Sequence, residues 1–455
     1  MKKTKYDLTE GNILQKLLLV AMPLMGTQFL QMAYNLTDIF WLGRVDRDPV
    51  AASGTVGMFI WLATALLLIG RMGAEIGVSQ SLGRGETQTA RKFSQTSLHL
   101  SLILGIFAGL CMFLFRYPLI RFFNIQEPEV FADAVAYMYV ISLGIPFTFV
   151  SAVISGTFSG SGNSRIPFFI NGSGLILNMI LTPIFVFHLS LGIVGAGIAT
   201  VVAQGVAFAL GLLAIRFLPT RPFHDFRFFQ KADLTKLRQI FRWSLPIAAD
   251  SALFTSLALI INRMVVAFGA DAIATIRVGF QIEGLSWLIA GGFASALTAF
   301  VGQSYGAKRY DRIHQGVRIS FRLMLIWGLF TTLIPWMFGR QLFAFFLPIP
   351  ELLPGGITFL RILSVAQLFI CLEFWAVGVF RGLGKTIPPS VSAVTGNALR
   401  IPLAYFLSQT ALGVNGIWWS IAAGAVMRAT MLVVWYNIHK RNMPLEDGNS
   451  IGGAV

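Results

Sequence analysis

Of the chain's 455 residues, 55% are hydrophobic, only 12% are charged and 40 are phenylalanine, where a soluble domain carries about twice that share of charge. With a mean hydropathy of +0.71, this composition excludes a soluble globular enzyme and implies a polytopic membrane protein. The net charge of +15 does not point to nucleic acid, because the basic residues sit in short stretches between apolar runs and form no patch interleaved with aromatics.

The two cysteines, Cys111 and Cys371, fall in separate apolar segments, and the five histidines are scattered without paired spacing. No disulfide framework, metal site or cofactor is expected. The chain opens with a polar, mixed-charge stretch, Lys2 to Asn12, which runs into a full span and reads as an uncleaved N-terminus.

Apolar runs of span length fall at 13–42, 50–77, 93–116, 130–155, 166–188, 191–217, 240–268, 273–302, 317–338, 355–380, 387–410 and 413–437. Twelve transmembrane helices follow. In the first, Asp38 is the only acid, and Thr27, Gln31, Asn35 and Asp38 recur at spacings of four, four and three, which stacks them on one helical face. A carboxylate mid-membrane costs roughly 2.5–3.5 kcal/mol on insertion scales, so its reading is a proton or cation site facing protein or water. The alternative is a carboxylate held only for packing. Pro23 marks a point for this long helix to bend.

Counted with the adjoining helix ends, the N-terminal arm and the loops after even-numbered spans hold 24 lysines and arginines, and the loops after odd spans hold five. That bias places both termini in the cytoplasm, the inner membrane being the expected location. The longest and most basic break, 218–237, interleaves Phe223, Phe226, Phe228 and Phe229 with Arg221, Arg227 and Lys231; it reads as a linker along the membrane surface. The sequences on either side of it repeat. Val78-Ser79-Gln80-Ser81-Leu82-Gly83 matches Val301 to Gly306 at an offset of 223, as Pro23 matches Pro246. Phe158 to Gly162 matches Phe380 to Gly384 at 222, and Leu191-Gly192 with Gly195 matches Leu412-Gly413 with Gly416 at 221. The expected division is residues 1–217, a linker at 218–237, and 238–455. Six helices in each half make a parallel repeat, two pseudo-symmetric lobes around a central cleft.

Asp7-Leu8-Thr9-Glu10-Gly11, Tyr34-Asn35-Leu36-Thr37-Asp38, the glycine-bearing loops at 83 and 306, and Gly160 and Gly382 together resemble the multidrug and toxic compound extrusion (MATE) family along nearly the whole chain. The single acid on helix 1 resembles its DinF-like branch. The resemblance implies a V-shaped pair of six-helix lobes, antiport of amphiphilic cations against protons or sodium, and Asp38 as the coupling carboxylate, partnered by Asn178 and Thr200 on helices 5 and 6. One departure is that Thr182, where an acid is often found, precedes Pro183. Sodium thereby loses a ligand, which favours protons.

Carrying the repeat forward from Asp38 lands on Ile261, so the acid belongs to the first lobe alone. Glu75 sits four residues from Arg71 and reads as half of an ion pair. Asp250, Glu283 and Glu373 are candidates for a second-lobe polar site. Arg263, Arg277, Arg361, Arg400 and Arg428 also fall within expected spans; they either snorkel to helix ends, pair internally, or contact a lipid phosphate or anionic substrate. Met32, Met58, Phe29, Phe59, Phe149 and Phe158, with Asp38, could form an adaptable substrate wall, though such residues pack any membrane helix. Gly382-Leu383-Gly384-Lys385-Thr386 has Val379 where a phosphate-binding loop needs its first glycine, so ATP drive is unsupported.

The reading is a monomeric secondary antiporter in contact with membrane lipids, exporting amphiphilic, mostly cationic small molecules as Asp38 takes up and releases a proton. The rival within the same superfamily is a flippase for a lipid-linked precursor. An intramembrane enzyme lacks any catalytic constellation at usable spacing.

Overall fold

The computed structural model describes residues 6–42, 47–125, 127–226, 228 and 233–441, and among them every regular element is helical. In chain order these are α1 (Ile13–Leu42), α2 (Arg47–Gly83), α3 (Thr87–Leu114), the short α4 (Arg116–Arg121), α5 (Pro128–Gly160), α6 (Arg165–Pro183) running into a π-helical turn (Ile184–His188), and α7 (Gly192–Phe217). The second repeat supplies α8 (Leu234–Val266), α9 (Ala270–Gly306), α10 (Tyr310–Phe346), α11 (Leu353–Gly382), α12 (Ile387–Ser408) and α13 (Val414–Arg441). The twelve expected spans all appear. Helices α2, α9 and α10 extend well past their apolar runs, because a helix continues beyond the hydrocarbon that hydropathy detects. Among the described residues, eleven helices are long and apolar enough to cross a membrane; α12, which carries Pro388, Pro389, Asn397 and Arg400, is the long helix left out.

The helices gather into two compact units that do not follow chain order. Unit 1 contains Met22–Ala248, and unit 2 contains Leu8–Ala21 together with the chain from Ala249 onward. Both changes of unit fall within a few residues of the paired prolines, Pro23 in α1 and Pro246 in α8. The first halves of these two equivalent helices are therefore exchanged.

Inside each unit the same pairs of helices touch. In unit 1, α5 packs on α2, α3 and α7, α2 on α3, and α6 on α7. In unit 2, α11 packs on α9, α10 and α13, α9 on α10, and α12 on α13. The closest seams are glycine-lined. A Cβ at Gly156 would come within 2.7 Å of the Arg71 carbonyl oxygen, and one at Gly160 within 2.6 Å of that of Glu75. In unit 2 the counterparts are Gly378 against Ala294 O at 2.7 Å and Gly382 against Thr298 O at 2.8 Å. Such contacts let two backbones approach without an intervening side chain, which is how helices associate where lipid removes the hydrophobic drive. The turn glycines match as well: Gly162 (φ 86) and Gly384 (φ 72) both occupy the left-handed region after their helices, where other residues are strained.

The loop segments also follow the exchange. In unit 2, Arg312 of α10 donates from Nε to the Leu8 carbonyl (2.8 Å), from Nη1 to that of Gly11 (2.9 Å) and from Nη2 to that of Glu10 (3.0 Å). Gln303 Oε1 accepts from the Leu8 amide at 2.9 Å, and the guanidinium lies 5.4 Å from the Phe300 ring centroid. In unit 1 the linker is fastened in the same manner: Arg91 and Arg216 donate to the carbonyls of Asp225 and Phe226, and Lys92 pairs with Asp233 at 3.5 Å. Phe223 and Phe226 are buried in the unit 1 core, with Phe228 packed against them. Phe223 and Phe226 are thus covered by protein and not by lipid; Arg227, Phe229 and Lys231 lie outside the described residues. Asp233 caps α8 by accepting from the amides of Thr235 and Lys236. Burial raises its pKa, but these amides and Lys92 outweigh that and hold the carboxyl below its usual range.

Two outcomes are expected. Gly156→Leu and Gly378→Leu should each sharply lower the monodisperse yield on size-exclusion chromatography, because overpacking costs about 1–3 kcal/mol or more; Gly57→Ala, where a Cβ meets nothing within 4 Å, should leave it unchanged. Arg312→Ala should raise hydrogen exchange at residues 8–11 by about tenfold or more, since each charge-assisted hydrogen bond contributes roughly 1.5–3 kcal/mol.

Candidate functional site

The polar groups of unit 1 converge on α6 and α7. Asn178 and Thr182 share a face of α6 by their spacing of four, and Thr200 projects from α7. Asn178 Nδ2 donates to Thr200 Oγ1 at 3.0 Å, and Thr182 Oγ1 donates to Asn178 Oδ1 at 3.0 Å. Thr200 in turn donates to the Ala196 carbonyl at 3.0 Å. Asn178, Thr182 and Thr200 are 3%, 1% and 8% exposed, so this chain of three side chains is buried within spans. Close packing of α6 on α7 makes it possible: a Cβ at Gly174 would already sit 3.1 Å from Ala207 Cβ and 3.2 Å from the Ala203 oxygen. Just beyond, Pro183 lacks the amide that would continue the ladder, and the helix opens into the π-helical turn 184–188. Such wide turns are frequent at functional sites.

Helix α1 lies along α6 in the same direction. The Phe168 ring fills the space beside Gly26, Leu30 Cδ1 is 3.1 Å from where a Gly172 Cβ would stand, and Trp41 meets Phe187 edge to face at 6.0 Å. These contacts bracket the α1 stripe and set Asn35 to Asp38 level with Asn178 to Thr182. On the stripe, Thr27 Oγ1 donates to the Pro23 carbonyl at 3.0 Å and Gln31 Nε2 to Asn35 Oδ1 at 3.2 Å. Asn35 is exposed, and Gln31 and Met32 are half-buried. The backbone of Asp38 belongs to α1; its side chain lies outside the described residues.

The expected substrate wall divides. Phe29 is 59% exposed and Met58 45% exposed. Phe59 is half-buried and meets Phe123 edge to face at 5.5 Å. Phe149 and Phe158 are buried in separate hydrophobic clusters of unit 1, where they hold helices together and offer no surface in this conformation. Phe29 and Met32 share α1 with the stripe.

Arg71 and Glu75 form the expected pair across one turn of α2, at 3.9 Å. In unit 2, Glu373 of α11 is engaged by Arg428 of α13, whose Nε is 2.9 and 3.0 Å from its two oxygens. Asp250 is half-buried on α8, and Glu283 is buried on α9 beside Gln367 of α11. The three acids are therefore not equivalent. Arg263, Arg277 and Arg361 are exposed, as snorkelling side chains are, whereas Arg400 is buried. Sequence reasoning missed Thr182 as a member of the unit 1 chain; its i, i+4 relation to Asn178 was the available signal.

A helical membrane protein that builds the same bundle twice and keeps a buried polar cluster within its spans has the construction of a transporter. The MatE family model matches residues 23–184 and again 246–406, and the chain belongs to that family, as a multi-pass membrane transporter and not an enzyme. It is 25% identical over 430 residues to "Probable multidrug resistance protein NorM" of Thermotoga maritima, covering 93% of this chain and 92% of the relative. It is 24% identical over 433 residues to "Probable multidrug resistance protein YpnP" of Bacillus subtilis, covering 95% and 96%. A solved structure described as an outward-facing conformation of a multidrug resistance MATE family transporter superposes with a TM-score of 0.90 at 22% identity, over 97% of this chain and 99% of that one. The two family matches begin 223 residues apart and end 222 apart, which is the offset of the sequence repeat.

Asn178→Leu and Thr200→Val should each lower stability by about 1–3 kcal/mol, because each leaves a buried polar partner unsatisfied. In a double-mutant cycle by denaturation in detergent, the combined loss should fall short of the sum by roughly 0.5–3 kcal/mol.

Proposed function

We propose that this transporter exports amphiphilic, mostly cationic small molecules across the inner membrane in exchange for protons, with Asp38 as the group that carries the proton. The observation that supports it is the alignment of the α1 stripe with the buried Asn178–Thr200–Thr182 chain, bracketed by the Gly26, Leu30 and Trp41 contacts. Amide and hydroxyl groups at that level can donate to an ionised Asp38 and accept from a neutral one, so both protonation states find partners. The relatives' names speak of multidrug resistance, and the single acid on α1 resembles the DinF-like branch. Membrane orientation follows the loop charges, with both termini cytoplasmic, and the transporter works as a monomer in lipid.

The cycle runs as follows. Ionised Asp38 holds a cation in the state open to the cytoplasm. A proton arriving from outside neutralises it, weakens the cation's hold and rearranges the polar contacts along α1. Loss of the proton to the cytoplasm restores the first state. One proton exchanged for one monovalent cation moves no net charge across the membrane, so the pH difference alone drives export, sustaining roughly a tenfold concentration ratio, about 1.4 kcal/mol, per pH unit. Sodium is the weaker candidate, because the described groups at this level are neutral amides and hydroxyls, and a hard cation prefers several oxygens including carboxylates.

In proteoliposomes under separately imposed proton and sodium gradients, the wild type should export a cationic dye against a proton gradient alone. Asp38→Asn should abolish that export while folded protein remains in the membrane; undiminished export by the variant would refute the scheme. A second reading, a flippase for a lipid-linked precursor, is favoured by the unit 2 arginines. Its signature is movement of such a lipid with no ion gradient imposed.

A further inference from the structure

Unit 2 keeps positive charge where unit 1 keeps neutral polar groups. Two matched helix seams fix the comparison. In unit 1, Gly174 of α6 is pressed against Ala203 and Ala207 of α7; in unit 2, Gly396 of α12 is pressed against the Gly424 carbonyl oxygen, 3.0 Å from where its Cβ would be, and against Arg428 Cγ. Pro167 and Pro389 open the two helices at the same offset. By this register Arg400 occupies the place of Asn178, and Arg428 that of Ala207.

The two arginines are differently employed. Arg428 donates from Nε to both Glu373 oxygens and from Nη1 to Asn397 Oδ1 at 3.0 Å, and Ser392 donates to its carbonyl at 2.9 Å. Arg400 is 6% exposed, and its Nε has no acceptor among the described residues. It lies 6.0 Å from the Phe254 ring centroid on α8, and the charged group acting on it is another cation, Arg428. Asp250 lies within range of Arg381, Glu373 and Arg428. The cluster thus holds three cations and two anions. A second glycine, Gly424, completes the close seam at the same place: its Cβ would stand 3.0 Å from the Gly396 carbonyl oxygen, 3.6 Å from Arg428 Nη1 and 3.7 Å from Arg400 Cβ.

A buried guanidinium with an unused edge lacks the counter-charge that burial demands. Its planar fork matches the two oxygens of a carboxylate or phosphate. We propose that the Arg400 cluster of α12, with Arg428 beside it and Phe254 as its apolar flank, is a binding site for the anionic oxygen group of an amphiphilic ligand, a carboxylate or a phosphate. Glu373 keeps Arg428 engaged, so Arg400 presents the free fork. This reaches beyond the export of cations and is independent of Asp38. The anion comes either from an acidic lipid or from a soluble amphiphile.

The test is thermal unfolding, followed by tryptophan fluorescence, of the whole protein in an uncharged maltoside detergent. Decyl phosphate, decanoate, decyltrimethylammonium and micelles doped with phosphatidylglycerol or phosphatidylcholine are added in turn. The wild type should show a saturable rise in Tm of several degrees with anionic additives and none with the cationic or zwitterionic ones. Stabilisation by phosphatidylglycerol alone identifies a lipid source; stabilisation by decyl phosphate and decanoate as well identifies a soluble one. Arg400→Gln should lose the response and Arg361→Gln keep it. Glu373→Gln, which releases Arg428, should tighten anion binding by about tenfold, and this arm decides the matter if Arg400→Gln does not fold. An unchanged response in Arg400→Gln, equal stabilisation by the cation, or no tightening in Glu373→Gln overturns the proposal.

Discussion

A polar side chain placed in the span of a membrane helix must find its partner inside the protein, because the surrounding hydrocarbon offers none. The two units meet that requirement differently at one helical position. In unit 1, Asn178 is satisfied on both ends of its amide by Thr200 and Thr182, a closed neutral chain. In unit 2, the register places Arg400 at the same level, with Glu373 already taken by its neighbour Arg428. One scaffold thus carries two electrostatic environments. The repeat supplies the helix seams, and single substitutions along them supply the chemistry.

Those seams account for the backbone that the two units share although their side chains differ. Gly156 and Gly160 against α2, and Gly378 and Gly382 against α9, bring carbonyl oxygens to within 2.6–2.8 Å of where a Cβ would stand. A larger residue at any of these separates the two helices, so the positions tolerate little change. Asn178 and Arg400 lie off this frame, on helices whose close contact runs through Gly174 and Gly396.

How much of this was legible in the sequence depends on the range of the interaction. Hydropathy and offset placed the spans and the repeat, since both are recorded in the residues of a single element. The Arg71–Glu75 pair followed from i, i+4 spacing. Asn178 and Thr200 were reached only through family resemblance, and Thr182 entered there as a missing acid, although its hydroxyl completes the chain. The Arg312 clamp had no signal at all. It binds backbone carbonyls some 300 residues away, and a backbone carbonyl is identical in every residue. The protein cover of Phe223 and Phe226 was hidden for a related reason: an aromatic beside a basic residue reads the same whether lipid or protein covers it.

The exchanged half-helices give those long-range clamps a mechanical meaning. Helix α1 begins in unit 2, where Arg312 holds the arm before it, and continues past Pro23 into unit 1, where its polar stripe runs beside α6. Helix α8 begins in unit 1, capped by Asp233, and continues past Pro246 into unit 2 and Asp250. Each helix is anchored at its start in one unit and carries its polar residues in the other. Each crosses between them next to a proline, where the interrupted ladder makes bending least costly.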